Sequence, residues 1–164
     1  MSGSEYFENV ADKWDSMRKD FFSEKVRDEA IIQLKTVSGK IAADIGAGTG
    51  FMSEGLLDAE LIVVAVDSSP AMIEIMKEKF ADIKEFQAVL TDPDIIKLSD
   101  ESVDYAFANM YLHHTEEPQA ALKEIIRILK PGGKAAITDL MFHNHEELIK
   151  NHHDRWPGFS FPDL

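Results

Sequence analysis

The chain has 164 residues, which is enough for one hydrophobic core of ordinary size, so that a single domain is expected. It contains no cysteine, which excludes disulfide bonds, thiolate metal sites and a cysteine nucleophile. Its formal net charge of -13 at pH 7 argues against attraction to nucleic acid or to an anionic membrane surface, and it favours a small or neutral substrate.

Two helices are predicted before the first strand. Apolar residues recur at helical spacing over residues 4–36, and the pattern breaks near residues 18–22. Tyr6 and Trp14 lie in the first of these helices, and two interpretations of them remain open. Either they cover a small-molecule pocket at the edge of the sheet, or they only pack the helix against the core.

Five short apolar runs alternate with helical patterns along the rest of the chain. Such runs are typical of strands that are buried on both faces of a sheet. The predicted strands cover residues 40–45, 61–66, 85–90, 103–108 and 135–138, and the helices between them cover residues 49–57, 70–80 and 118–129. This alternation predicts an α/β fold with a Rossmann-like, doubly wound, mostly parallel sheet in a three-layer αβα arrangement.

The first strand leads through Asp44 into a glycine-rich turn, Gly46-Ala47-Gly48-Thr49-Gly50, and a helix follows at once. In an open parallel sheet, ligands bind at this carboxyl edge, and glycines let the backbone turn with positive φ and let a ligand approach closely. About twenty residues further on, the second strand ends in Asp67 and Ser68. A carboxylate there can accept both hydroxyls of a ribose, so the two features together predict an adenosine-containing ligand.

The spacing of the glycines argues against a dinucleotide. The dehydrogenase pattern requires glycine at its first, third and sixth places, so that a pyrophosphate can sit on the helix N-terminus, but the sixth place here is Phe51. With no pyrophosphate to seat, the loop can take a shorter zwitterionic methionine end, and Asp44 would face its ammonium group. A nicotinamide-dependent oxidoreductase is therefore the less favoured alternative.

With these motifs, the chain resembles the class I S-adenosylmethionine-dependent methyltransferases that act on small molecules, and it is similar to the quinone-biosynthesis methyltransferases. The resemblance runs through AADIGAGTG, VDSSPAMIEIMKEKF, DESVDYAFANMYLHH and ALKEIIRILKPGGKAAITD. It implies S-adenosylmethionine as cofactor, S-adenosylhomocysteine as product, and in-line transfer of a methyl group to a small-molecule acceptor. It also implies a helical lid over residues 1–36, a cofactor-binding core over residues 37–142 and a tail over residues 143–164.

The resemblance assigns particular residues to the cofactor. Those implied are Asp44, Gly46, Ala47 and Gly48 at the methionine moiety, Asp67 and Ser68 at the ribose, Met72 and Asp92 at the adenine, and Asn109 and Met110 beneath the sulfonium centre. In relatives, the residue after the adenine acid offers a backbone N–H to the ring, whereas Pro93 has none. Asp94 therefore remains an alternative to Asp92.

His113 and His114 are the candidate catalytic residues. They follow the fourth predicted strand, and an imidazole can accept a proton near neutral pH if the acceptor must lose one. Local hydrogen bonding is the expected role of at least one of the two. Tyr111 is a weaker candidate in the same substrate pocket.

No metal site is predicted. The tail is expected to form a helix over residues 146–153 followed by a loop, and it is rich in histidine, with His143, His145, His152 and His153. Their spacings do not place three ligands on one helical face, so a solvated polar segment is the favoured interpretation.

The tail also bears on whether the sheet is complete and whether the chain forms a dimer. Relatives continue past the Trp156 segment into a helix and an antiparallel strand pair, so the chain resembles a truncated family member without that pair. An exposed sheet edge would then favour a homodimer, and a cofactor-binding but inactive or interaction module is the second functional hypothesis. Because no apolar run approaches a membrane span and no secretion signal is evident, a cytoplasmic location is expected.

Overall fold

The computed structural model describes residues 23–144 and 154–160. Helices and strands alternate along them as the sequence predicts. In chain order they are α1 (Glu24–Leu34), β1 (Ile41–Ile45), α2 (Phe51–Asp58), β2 (Ile62–Asp67), α3 (Pro70–Lys79), β3 (Phe86–Leu90), β4 (Val103–Asn109), a short 3-10 helix (Leu112–His114), α4 (Pro118–Ile128) and β5 (Leu129–Thr138). The predicted first helix, with Tyr6 and Trp14, and the predicted tail helix lie outside the described residues.

The five strands form one sheet in the order β3-β2-β1-β4-β5, and every neighbouring pair is parallel. The prediction of a Rossmann-like, doubly wound sheet is therefore confirmed. β1 lies at the centre, where the chain order reverses between β2 on one side and β4 on the other. Ligands bind at the carboxyl ends of the strands beside such a reversal, so the topology places a site at the end of β1.

Local backbone chemistry explains where the elements differ from the predicted bounds. Helix α2 begins at Phe51 because Gly50, just before it, adopts a φ of 84°, which is not helical. Strand β5 begins at Leu129, six residues earlier than predicted, and it includes the segment Pro131-Gly132-Gly133. A register shift against β4 between Val103 and Tyr105 accommodates this segment, because proline cannot donate to the ladder.

Small and apolar side chains pack the central strand against helices on both faces. Ala42 and Ala43 are fully buried and point to opposite faces, so they contribute to two different core clusters. The first cluster includes Leu56 of α2, and the second includes Ile125 of α4. These contacts fix the end of β1, which carries the glycine turn.

The loop between β3 and β4 is held against α4 by one arginine. The guanidinium of Arg127 donates to the carbonyl oxygens of Ile96 and Leu98, at 2.8 Å each, and to the carboxylate of Asp100 at 2.6 Å. These bonds satisfy loop carbonyls that no strand partner reaches. They place Ile96 in the wall of the site described below.

No helix within the described ranges combines the length and the apolar character that a membrane crossing requires.

Candidate functional site

A cleft of about 150 Å³ opens at the carboxyl edge of the sheet, over the ends of β1, β2 and β4. All ten residues that the sequence analysis assigned to the cofactor line this cleft, together with two residues assigned to the acceptor side. They are Asp44, Gly46, Ala47, Gly48, Asp67, Ser68, Met72, Asp92, Asn109 and Met110, with Tyr111 and His114. The fold therefore brings together residues from four separate segments of the chain.

The glycine turn needs glycine for two separate reasons. Gly46 and Gly48 adopt φ values of 66° and 56°, which L side chains rarely occupy. In addition, a Cβ atom on Gly46 would lie 2.6 Å from Cδ2 of Tyr111. The backbone N–H groups of Gly46 and Ala47 both donate to the carbonyl oxygen of Val66, at 3.0 and 3.1 Å. The turn is thus fastened to β2 and covered by an aromatic ring.

Asp67 joins the glycine turn to the start of α3. Its Oδ2 accepts from the backbone N–H of Gly48 and its Oδ1 from that of Ser69, both at 2.8 Å. Burial raises the pKa of Asp67 above its ordinary value, although these hydrogen bonds act in the opposite direction. The carboxylate therefore organises the protein backbone itself, a role that the sequence analysis did not assign to it.

Asp44 is a buried acid at the base of the cleft. The Oγ of Ser53 donates to its Oδ2 at 2.6 Å. Burial raises the pKa of Asp44 to about 7, the hydrogen bond from Ser53 offsets part of this shift, and the neighbouring Asp67 raises it further. A cationic group in the cleft would favour the ionised form of this carboxyl, so the site is suited to an ammonium group.

We predict that the stability of Asp44→Asn, relative to wild type, rises with pH. The folded chain holds a proton on Asp44 up to about pH 7, whereas the unfolded chain releases it near the ordinary value of 3.8, so stability falls as pH rises between these values. The variant has no such group. Its stability relative to wild type should therefore rise by roughly 3 kcal/mol between about pH 5 and about pH 8.5.

Urea unfolding at the two pH values measures this difference. Asp82→Asn, which removes an exposed carboxylate before β3, is the matched control and should show little pH dependence relative to wild type. If the two variants behave alike, Asp44 is not the buried acid that its position implies.

The end of β4 supplies the wall opposite β2. The Oδ1 of Asn109 accepts from the Oγ1 of Thr138 at 2.7 Å, and the N–H of Met110 donates to the carbonyl oxygen of Thr138 at 2.8 Å. Burial, with the nearby charges of Asp94 and Asp67, raises the pKa of Tyr111 to about 12. Tyr111 therefore keeps its proton at neutral pH and lines the cleft as a neutral group.

Both candidate adenine acids lie in the loop after β3. The carboxylate of Asp92 is 3.0 Å from Nζ of Lys97, and the Oδ1 of Asp94 accepts from the N–H of Glu116 at 3.3 Å. Asp94 also adopts a φ of 63°, a conformation that aspartate tolerates better than most residues. Since both line the cleft, each stays a prediction for the adenine contact.

The structure separates the two candidate histidines. His114 lines the cleft, whereas the side chain of His113 is only 2% exposed and its Nδ1 lies 2.5 Å from the Oδ1 of Asp139. Asp139 also accepts from the N–H groups of Leu112 and Leu140, at 2.7 and 2.8 Å. Burial alone would raise the pKa of Asp139, but the hydrogen bonds from His113 and from the backbone lower it below its ordinary value. We expected at least one of the two histidines to form a local hydrogen bond, and His113 forms one with Asp139.

Three polar residues at this site were not identified from the sequence. Ser53 and Asp139 lie on a predicted helix and directly after the last predicted strand, so their positions gave a signal, namely a polar residue at the carboxyl edge. The position of Asp154 gave no such signal, because this residue lies in the tail. Its segment is fastened to the cleft by the N–H groups of Arg155 and Trp156, which donate to the carbonyl oxygen of His113 at 3.0 and 3.1 Å.

Comparison with known proteins identifies the family. Residues 43–137, more than half of the chain, match the family model of the methyltransferase domain. The chain is 33% identical over 137 residues to a demethylmenaquinone methyltransferase of Renibacterium salmoninarum, an alignment that covers 81% of this chain and 56% of the relative. It is 33% identical over 103 residues to the enzyme of the same name from Clavibacter sepedonicus, covering 63% and 42%. The chain spans about half the length of the curated relatives it matches.

Solved structures of similar proteins have the same fold. A protein of Methanococcus maripaludis assigned as an S-adenosylmethionine-dependent methyltransferase superposes with a TM-score of 0.71 and 28% identity, over 89% of this chain and 72% of its own. A Haloferax volcanii protein assigned as a methyltransferase, in complex with the Trm112 methyltransferase activator, superposes with a TM-score of 0.84 over 96% and 71% of the two chains; at 23% identity it shows the fold alone.

The parallel sheet, with its glycine turn and the acid on the neighbouring strand, defines a Rossmann-like methyltransferase fold. The chain belongs to the class I S-adenosylmethionine-dependent methyltransferases, and within them it is similar to the quinone-biosynthesis enzymes. Membership of this family gives no support to the oxidoreductase alternative.

Proposed function

We propose that this chain binds S-adenosylmethionine in the cleft and transfers its methyl group to a small-molecule acceptor. The observation that carries the proposal is the convergence, in one cleft, of the glycine turn, of Asp67 from the adjacent strand and of the β4 residues Asn109 and Met110. The name of the Renibacterium salmoninarum relative and the net charge of -13 both favour a small, uncharged acceptor.

The residues present fit such a cofactor. Asp67 accepts backbone hydrogen bonds at both carboxylate oxygens, and a carboxylate has about four acceptor positions in all, so it retains capacity for a ribose hydroxyl. Asp44 offers a buried carboxyl that an ammonium group would hold in its ionised form. Met72, which is 1% exposed, offers an apolar surface for the adenine.

Methyl transfer from a sulfonium is an in-line displacement, and the bound cofactor supplies the electrophilic methyl group. The protein must align the acceptor and exclude water. Tyr111 keeps its proton and walls the cleft, while His114 is the described histidine that lines it and can take a proton from the acceptor. We retain Tyr6 and Trp14 as a proposed lid. A homodimer through an exposed sheet edge and a cytoplasmic location are further proposals.

Calorimetry with S-adenosylmethionine and, separately, with S-adenosylhomocysteine tests cofactor binding. In each titration we expect one ligand molecule to bind per chain. No measurable binding at millimolar ligand would overturn the proposal. A panel of small acceptors, including demethylated quinones, then tests turnover by the release of S-adenosylhomocysteine. Binding without turnover on any acceptor would favour the inactive or interaction module instead.

A further inference from the structure

Two histidines and a carboxylate meet beside the cleft, in an arrangement that methyl transfer does not require. The Oδ1 of Asp154 lies 3.6 Å from Nε2 of His113 and 3.7 Å from Nδ1 of His114. One ligand atom from each of the three residues lies within 4.8 Å of the others. The side chains of Asp154 and His113 are 4% and 2% exposed, whereas that of His114, which lines the cleft, is 21% exposed, so the cluster is buried on one side and opens to the cleft on the other.

Asp139 fixes which nitrogen of His113 faces this cluster. Its carboxylate already accepts from two backbone N–H groups, and a carboxylate can only accept from the Nδ1 of His113 as well. Nδ1 therefore carries the proton, and in a neutral imidazole Nε2 then carries the lone pair. This lone pair and the Oδ1 of Asp154 are two acceptors at 3.6 Å, so a positive charge between them is favourable.

The distances from the Oδ1 of Asp154 to the two histidine nitrogens suit a bound metal ion better than a shared proton. Nitrogen and oxygen ligands bind zinc at about 2.0–2.2 Å, so tetrahedral ligands lie roughly 3.3–3.5 Å apart. The two separations to Asp154 exceed this value only slightly, and all three ligand atoms lie within 4.8 Å of one another, whereas a direct hydrogen bond would require about 2.8 Å. The backbone of Arg155 and Trp156 fastens Asp154 in this position, because both N–H groups donate to the carbonyl oxygen of His113.

We propose that His113, His114 and Asp154 bind one divalent transition-metal cation, and that Asp139 orients His113 for it. Two imidazoles with one carboxylate are a donor set for zinc, iron, cobalt or manganese rather than for calcium or magnesium. Metal-binding histidines usually donate their second ring N–H to a carboxylate, as His113 does to Asp139.

The site adjoins the proposed cofactor cleft because His114 lines both. With a metal on its Nδ1, His114 keeps the proton on Nε2 and donates a hydrogen bond rather than accepting a proton. Metal binding and the proposed role of His114 as a base are therefore alternatives at this residue. The metal proposal itself does not depend on methyl transfer, since the cluster is defined by its own side chains.

The experiment uses the tag-free chain after removal of metals with a chelator. Titration with Co²⁺ followed by absorption, and with Zn²⁺ followed by calorimetry, should each show one ion bound per chain. Asp154→Asn should weaken binding by at least about tenfold, and Asp139→Asn by about 10- to 100-fold through loss of the orienting hydrogen bond. Asp82→Asn, which removes an exposed carboxylate before β3, is the control and should bind as wild type does.

Circular dichroism of each variant separates loss of binding from loss of folding, and Asp154→Asn is the decisive variant because its side chain lies outside the sheet. The proposal is wrong if the wild-type chain binds neither ion at one per chain, or if folded Asp154→Asn binds as wild type does. It is also wrong if binding is lost when His145, His152 and His153 are changed to Gln but survives Asp154→Asn. Nitrogen NMR that shows both ring nitrogens of His113 protonated in the presence of Zn²⁺ would likewise overturn it.

Discussion

Replacement of Asp67 by alanine should weaken the binding of S-adenosylhomocysteine by about 100-fold or more. The variant loses the acceptor that we propose for the ribose hydroxyls, and hydrogen bonds to a charged group contribute about 1.5–3 kcal/mol each. It also leaves the N–H groups of Gly48 and Ser69 without the carboxylate that now accepts from them, so the glycine turn loses its anchor to α3. Calorimetry at neutral pH measures the loss.

Two controls separate the ribose contact from folding. Asp67→Asn keeps one carbonyl oxygen in place, so it should retain more affinity than Asp67→Ala. Asp58→Ala removes an exposed carboxylate at the end of α2 and should leave affinity unchanged. If Asp67→Ala remains folded by circular dichroism and binds as wild type does, the nucleoside is not held at this strand and the proposed function is lost.

Gly46→Ala is expected to be markedly more destabilising than Gly39→Ala. Both glycines adopt positive φ, at 66° and 76°, so both substitutions carry a left-handed backbone strain of about 1–2 kcal/mol. A Cβ on Gly39 would meet nothing within 4 Å, whereas a Cβ on Gly46 would lie 2.6 Å from the ring of Tyr111 and 3.4 Å from its Cβ. Overpacking of this kind adds about 1–3 kcal/mol, and the displaced ring would also alter the cleft.

Urea unfolding with and without S-adenosylhomocysteine measures both consequences. We expect Gly39→Ala to keep the stabilisation that the ligand confers on wild type, and Gly46→Ala to lose most of it. In a Tyr111→Ala background, Gly46→Ala should cost less stability than it does in wild type, because the contact with the ring is removed. Equal stability losses in the two single glycine variants would show that Tyr111 does not press on the turn.

The elements that the sequence predicted well are those with strong local signals. Pro70 and Pro118 begin helices α3 and α4 as predicted, because proline is favoured at the first helical position. Ser69 adds a cap, since its Oγ accepts from the N–H of Met72. The start of β5 was predicted too late because the Pro-Gly-Gly segment is typical of a turn. Its inclusion in the strand depends on a register shift against β4, which is a tertiary contact.

That the residues proposed for the cofactor line one cleft was equally accessible from the sequence. The glycine turn and Asp67 lie nineteen residues apart, at the ends of two adjacent parallel strands, so the topology alone brings them together. The acceptor side was not accessible in the same way. Which of His113 and His114 faces the cleft depends on Asp139, which lies 26 residues from His113 along the chain.

The amino-acid order by itself determined the sheet, the turn and the acid on the neighbouring strand, because strand periodicity, glycine conformation and βαβ spacing act over short stretches of chain. Only the tertiary structure decided that His113 is buried against Asp139, that Tyr111 covers Gly46, and that Asp154 reaches the histidine pair. Those contacts join distant segments through side-chain packing and hydrogen bonds, and periodicity along one chain does not encode where distant side chains meet.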